Sequence, residues 1–253
     1  VRDRYKIGCC LLFIIAAFAV ITVKVWPSFS GRIDQSYHFQ PFDTLYLAGI
    51  DDAEIILGDD YSVNLQVAPK AVKSLDIEFK NNSLNILYKK NWLNYLDFHK
   101  SPVKIRITLP VLKECVSSGA GFVSIEGEVR NPLTVILNGS GKINVSSAIR
   151  DNLTAILNGS GAISFSDIHA DKVVSDIMDS GQITFAGDSQ SATFRLMGSG
   201  KMDVSKFQSQ TVNLSLMGSG DIEVKPDADM SRWKISKMGS GNIRQQKAIP
   251  LKG

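Results

Sequence analysis

Three carboxylates stand at a spacing that could serve hydrolysis of a glycosidic bond. Asp203 and Glu223 are 20 residues apart, and Asp221 lies two positions before Glu223. If the chain repeats on that period, Asp203 and Glu223 become neighbours on adjacent turns, at a separation compatible with the roughly 5 Å of a retaining glycosidase pair. The same period sets Lys201 opposite Asp221 and Arg244 after Glu223. Lys201–Asp221 and Asp203–Glu223–Arg244 then form a charge-compensated ladder on a solvated face. A sugar-cleaving groove also needs aromatic platforms, whereas the outward positions nearby hold Asn144, Ala162, Ser164, Gln182 and Thr184. Charge pairing is therefore the expected role. The cluster Asp203, Asp221 and Glu223 is kept as the rival, enzymatic reading.

Other reactive residue types are few. His38 lies near a linker, His99 in an insert and His169 in a turn after Ile168. None has a partner at metal-ligand spacing or a recognisable nucleophile beside it. Cys9 and Cys10 sit in a hydrophobic run, which leaves Cys115 alone in an apolar, strand-like context. It reads as a buried, inert thiol, and there is no disulfide scaffold, CxxC or Cys/His zinc pattern. The Gly-Ser-Gly segments lead into strands rather than helices, so they are no phosphate loop. No catalytic residue, cofactor or metal is expected.

The formal net charge of +3 is misleading until it is located. Arg2, Asp3, Arg4, Lys6 and Lys24 flank the hydrophobic run, and the remainder carries as many basic as acidic residues. A neutral body gives no counterion-release drive, which excludes nucleic acid as a partner.

The element that must position any site is a repeat. Gly119-Ala120-Gly121, Gly139-Ser140-Gly141, Gly159-Ser160-Gly161, Asp179-Ser180-Gly181, Gly198-Ser199-Gly200, Gly218-Ser219-Gly220 and Gly239-Ser240-Gly241 each precede an alternating segment such as Lys142-Ile143-Asn144-Val145. The last glycines of these units are spaced 20, 20, 20, 19, 20 and 21 residues apart. A second alternating segment precedes each turn, as in Leu133, Val135 and Leu137, then Leu153, Ala155 and Leu157, then Val212, Leu214 and Leu216. Period-two alternation means a strand with one buried face. Two such strands cannot bury that face alone, but stacked turns about 4.8 Å apart can. The fold class predicted is all-β: a single-stranded parallel β-helix of about 20 residues per rung, right-handed in the usual case. Ile143, Ile163 and Ile183 then point inward, Ser164 points outward, and the turn serines form a ladder of hydroxyls. A β-sandwich would want varied turns every 8–12 residues, not one turn on a fixed long period. Residues 37–110 also read as strands, with residues 44–57 as a degenerate first rung.

Two groups of residues are candidates for an interaction surface. Asn138 and Asn158, then Met178, Met197, Met217 and Met238, occupy the position just before the turn. They either fill a bent corner, the commoner use of methionine, or form an exposed apolar stripe for a partner. Trp92, Tyr95 and Phe98 stand among Lys89, Lys90, Lys100 and Lys104 in an apparent insert. That segment either packs over the solenoid or meets lipid headgroups or a partner.

Residues 7–23 carry no charge, and Lys24, Val25 and Trp26 extend the run towards the ~20 residues of a membrane-spanning helix. Arg2, Arg4 and Lys6 before it place the N-terminus in the cytoplasm and the body outside, periplasmic or at the cell surface. The rival is a cleavable signal with Ala17-Phe18-Ala19 as its site, and hence a secreted body. Cleavage there leaves Val20-Ile21-Thr22-Val23, an unusually apolar mature start, so a retained anchor is the reading adopted. Residues 1–26 are then anchor, 27–36 a short polar linker and 37–253 the β-helical domain.

With this pattern, the chain resembles the head GIN domain family, whose members are described as auto-transporter adhesins. The resemblance rests on Phe42-Asp43-Thr44-Leu45, Gly58-Asp59-Asp60-Tyr61-Ser62-Val63, Ser83-Leu84-Asn85-Ile86, Val103-Lys104-Ile105, Leu109-Pro110-Val111-Leu112 and Ser118-Gly119-Ala120-Gly121, with the Ser-Gly turns after them. It covers roughly residues 39–243. It implies a β-helical protein of the bacterial cell envelope, favours binding over catalysis and offers no catalytic residues. The inserted residues 91–101 and Asp179, in place of a turn glycine, depart from the pattern. The function expected is a non-enzymatic envelope module that binds a glycan or an envelope protein and is joined to the membrane by its N-terminal helix.

Overall fold

A computed structural model of the chain describes residues 24–27, 33–37, 40–67, 74–88, 103–225 and 228–245. Its strands wind into a solenoid whose rungs pair in parallel, one repeat on the next. Leu133↔Leu153, Thr134↔Thr154, Ile136↔Ile156, Leu137↔Leu157 and Asn138↔Asn158 are cross-strand partners. The sequence period thus becomes contact between like residues, and alternation along each strand decides which of them are buried. Leu153–Asn158 alternates strictly between buried and half-buried positions, and Lys142–Ile149 buries every second residue.

Each rung sends one strand into the Gly-Ser-Gly turn and one out of it. The strands before the turn stack in the order Leu75–Lys80, Ser83–Tyr88, Thr44–Ala48, Glu114–Gly119, Leu133–Gly139 and Leu153–Asn158. The second halves of Ala162–Asp179, Gln182–Gly198 and Lys201–Gly218 continue this sheet to Trp233–Met238. The strands after the turn run from Lys104–Leu109 through Asp52–Leu57, Phe122–Glu126 and Lys142–Ile149. The first halves of the same three long strands then lead to Asp221–Val224 and Asn242–Gln245. The long strands round their second corner without a break, and register shifts between Phe165 and Ile168 and between Thr184 and Ala186 absorb the bend.

The core is filled by complementary sizes in three successive rungs. Ala155 shares a rung with Phe165 and Ser175 with Phe185, whereas Phe194 shares one with Val204; all six are buried. Phe165 and Phe185 stack with centroids 5.3 Å apart, and Phe194 tilts against Phe185 at 5.3 Å. The small partners make room for these rings, at the expense of the buried Ser175 hydroxyl, which has no hydrogen-bond partner. Packing at interior density explains why a bulky residue on one sheet is answered by a small one on the other.

Several expectations are corrected. Spatial order departs from chain order at the start: the layer formed by Thr44–Ala48 and Asp52–Leu57 lies between the one formed by Ser83–Tyr88 and Lys104–Leu109 and the one formed by Glu114–Gly119 and Phe122–Glu126. Residues 44–57 are therefore an interior layer, not a first rung. Antiparallel strands close this end. Ser62–Val67 pairs with Lys104–Leu109, Ile33–Tyr37 with Ser62–Val67, and Leu75–Lys80 with Ser83–Tyr88. Lys24–Pro27 is a strand antiparallel to Ile33–Tyr37, so Lys24, Val25 and Trp26 do not extend an anchor helix, and residues 27–36 are not wholly linker. The β-propensity of Val25, Trp26 and Ile33 and an available sheet edge explain the difference. Residues 1–23 lie outside the described residues, and among the described residues no helix is long and apolar enough to cross a membrane.

Candidate functional site

The turn that organises the outer surface depends on two glycines with different tasks. Gly159 has φ +122°, and a Cβ there would stand 2.5 Å from the Gly139 carbonyl oxygen of the preceding rung. Gly161 has no unusual φ, but its Cβ would meet the Gly141 oxygen at 2.5 Å. The backbone N–H of Gly161 donates to the Gly139 oxygen at 2.9 Å, and Ala162 N–H donates to the Gly141 oxygen at 3.0 Å. Rungs therefore touch backbone to backbone at this corner, which carries the exposed serines at its tip. Asp179 adopts φ 116° in a place where the other turns have glycine.

Beside this corner runs the methionine row. Met178↔Met197, Met197↔Met217 and Met217↔Met238 are successive register partners. The four are 41%, 37%, 44% and 63% exposed. They form an outward apolar stripe and do not fill the corner. The row continues as Asn158 and Asn138, with Asn158 Nδ2 donating to Asn138 Oδ1 at 2.8 Å. Next to the methionines, Arg195 grips Asp176 with both Nε and Nη2, the latter at 2.6 Å. The sequence reading missed this pair, although its 19-residue spacing is one rung. A shallow open depression of about 280 Å³ lies between Thr193, Arg195, Asn213, Ser215, Lys234 and Ser236.

The acids sit on the opposite sheet in the anticipated register, Lys201↔Asp221, Asp203↔Glu223 and Glu223↔Arg244. Their pairing differs in detail. Lys201 Nζ reaches diagonally to Glu223 Oε1 at 2.9 Å, while Asp221 accepts from Asn242 Nδ2 at 3.0 Å and Asp203 from Ser205 N–H at 3.0 Å. The longer arm of glutamate meets the lysine, and the short Asp221 is taken by its neighbour on the other side. The Asn242 hydrogen bond, then the nearby Arg244 and Lys201, hold Asp221 below the usual carboxylate range, and the Glu223 partner raises the Lys201 ammonium. Asp221 and Lys201 are thus stabilised in their charged forms, which for the carboxylate is the reverse of what a proton-donating acid requires. The same device recurs at the other end, where Lys104 meets Asp52 at 3.0 Å and Arg106 meets Glu54 at 2.8 Å.

Cys115 is fully buried, and desolvation, with Glu114 adding to it, pushes its thiol up to about 12. That suits a packing role and not a nucleophile. His169 corrects the sequence reading: it stands in the continuous strand Ala162–Asp179, not in a turn. Its Nδ1 lies 2.7 Å from Asp188 Oδ2 and its Nε2 3.0 Å from Asp167 Oδ1. The register shift between Phe165 and Ile168, which interrupts the alternation of the strand just before His169, masked this pairing. No group of three or more metal-ligating side chains converges among the described residues. His38, His99, Trp92, Tyr95 and Phe98 lie outside the described residues.

Residues 41–247 match the family model described as "Putative auto-transporter adhesin, head GIN domain". The chain belongs to the head GIN domain family. No curated protein matches it. Among solved structures, this head GIN domain is similar to a "Putative lipid binding protein" from Parabacteroides distasonis ATCC 8503, with TM-score 0.73 and 23% identity over 87% of this chain and 98% of the other. It is also similar to a "putative adhesin" from Bacteroides fragilis NCTC 9343, with TM-score 0.68 and 19% identity over 86% and 98% of the two chains. At these identities the likeness is one of fold.

Proposed function

We propose that this head GIN domain is a non-enzymatic binding module of the bacterial cell envelope, held outside the cytoplasmic membrane by the uncharged residues 7–23. The ligand surface is the outer corner of the solenoid, where the methionine row runs beside exposed serine hydroxyls and the Asn138–Asn158 pair. The observation that carries this reading is the row of four exposed methionines in register. A contiguous apolar stripe in water is costly unless something covers it, and the flanking hydroxyls and amides offer hydrogen bonds at a fixed rung spacing. A glycan or an envelope protein with a repeating surface fits such a strip. The acids, each held by an ion pair or a hydrogen bond, argue against the rival reading of a polysaccharide-cleaving enzyme.

A second reading, that the strip takes an amphiphile, is favoured by the same methionines, whose flexible thioethers adapt to acyl chains. It agrees with the name of the Parabacteroides distasonis neighbour. A body comprising residues 24–253, which keeps the strand Lys24–Pro27, is to be screened against envelope glycans, envelope proteins and lipid vesicles. Binding lost in a Met178→Ser, Met197→Ser, Met217→Ser triple variant supports the surface. Binding unchanged by these substitutions removes it. Protease protection of the body in spheroplasts would refute the export.

A further inference from the structure

The two ends of the solenoid are finished differently. Antiparallel strands cover the first, whereas at the second Trp233–Met238 and Asn242–Gln245 have no strand on their far side among the described residues. An open edge presents unpaired backbone donors and acceptors to any extended chain. The last rung is also the least buried. Ile235, in the core column of Phe194 and Leu214, is 44% exposed. Lys237 occupies the column filled before it by Leu137, Leu157, Ile177, Leu196 and Leu216. A cation in a core column is tolerated only because nothing packs on it.

This end is basic. Arg232, Lys234, Lys237 and Arg244 are all exposed there, against Asp229, whose carboxylate accepts the Ser231 N–H at 3.0 Å. Neither Lys234 nor Lys237 joins an ion pair among the described residues. Charge discriminates between possible occupants of the edge. A second copy pairing antiparallel about the centre of Trp233–Met238 would oppose Lys234 to Lys237 twice, and like charges directly opposite are destabilising. Residues 246–253 bring Lys247 and Lys252 and no acid, so they are also mismatched.

We infer that the C-terminal rung is a docking edge for an extended, acidic segment of a partner protein, which adds a strand to Trp233–Met238 and sets carboxylates against Lys234 and Lys237. Backbone hydrogen bonds supply the register, an apolar residue covers Ile235, and the two lysines select for acid. The edge meets the methionine strip at Met238, but the inference rests on the open strand and its lysines and not on that strip.

The test is fluorescence anisotropy with the full chain and a labelled ten-residue peptide of threonine and valine, bearing two glutamates three positions apart. Saturable binding is expected, weakening roughly tenfold between about 0.05 and 0.5 M salt as screening predicts. N-methylation of alternate peptide nitrogens should abolish it. The Lys234→Glu, Lys237→Glu double variant, altered only at exposed positions, should lose at least about tenfold for this peptide and gain a lysine counterpart. Circular dichroism checks that the variant is folded. Absence of binding overturns the proposal. So does equal binding of the lysine peptide, or retained binding of the N-methylated one, which would indicate a polyanion site and not a strand edge.

Discussion

Asp179 carries a side chain where the matching positions of the other turns hold glycine, and its φ of 116° lies in a region that L residues rarely adopt. Such a conformation costs of the order of 1–3 kcal/mol, offset in part by the entropy that glycine loses on folding. Asp179→Gly is therefore expected to raise stability by about 1 kcal/mol, read as a shift in urea midpoint at unchanged slope. A lower midpoint would mean that the aspartate holds the corner through its contact with Ser180, whose hydroxyl donates to Asp179 Oδ1 at 3.2 Å. One rung earlier, Ile163 and Ser164 test the register itself. Ile163 is 1% exposed between Ile143 and Ile183, so Ile163→Ala should cost about 2–5 kcal/mol. Ser164 points outward but donates to Asn144 Oδ1 at 2.8 Å, and its loss should cost only about 0.5–1.5 kcal/mol. Equal costs in denaturant melts would contradict the inside–outside alternation.

At the scale of elements, each rung is supported by the rungs on either side of it, and stability is roughly a sum of such neighbour terms. The last rung has one neighbour among the described residues and the middle ones have two. Amides of Trp233–Met238 and Asn242–Gln245 should accordingly exchange with deuterium earlier than those of Leu153–Asn158, in experiments on the intact chain. Uniform exchange along the solenoid would instead indicate a single cooperative unit. The middle rungs were legible in advance because each repeats the same apolar positions at nearly constant spacing: Leu157 and Ile177 announce their own contact. The first layers were not, because nothing in Thr44–Ala48 says that its partners are Ser83–Tyr88 and Glu114–Gly119. Only the fold-back of the intervening strands decides that. The methionine row was legible as a row, but its exposure turned on whether the chain bends before the turn, which alternation alone leaves open. The Lys201–Glu223 diagonal was missed because register fixes backbones, while the reach of a side chain selects among neighbours.

For the molecule as a whole, the buried Cys115 couples folding to alkaline pH. Its thiol titrates near 9.0 in the unfolded chain and at about 12 in the fold. The folded pKa is the higher one, so the stabilising contribution is complete below the unfolded value and is lost as pH rises between the two. Stability should fall from about pH 9 upward in the native chain and fall less in Cys115→Val, measured by denaturant melts across that range. A second consequence concerns time. The layer formed by Thr44–Ala48 and Asp52–Leu57 is the middle one of three, yet it leaves the ribosome before both of its neighbours. It waits with both sides bare until Ser83–Tyr88 and Lys104–Leu109 emerge to cover one, and with the other bare until Glu114–Gly119 and Phe122–Glu126 follow. Folding of this protein cannot zip forward from its first residue; the layer is complete only when Glu114–Gly119 closes over strands made much earlier, and a chain halted before that point keeps one side of the layer bare.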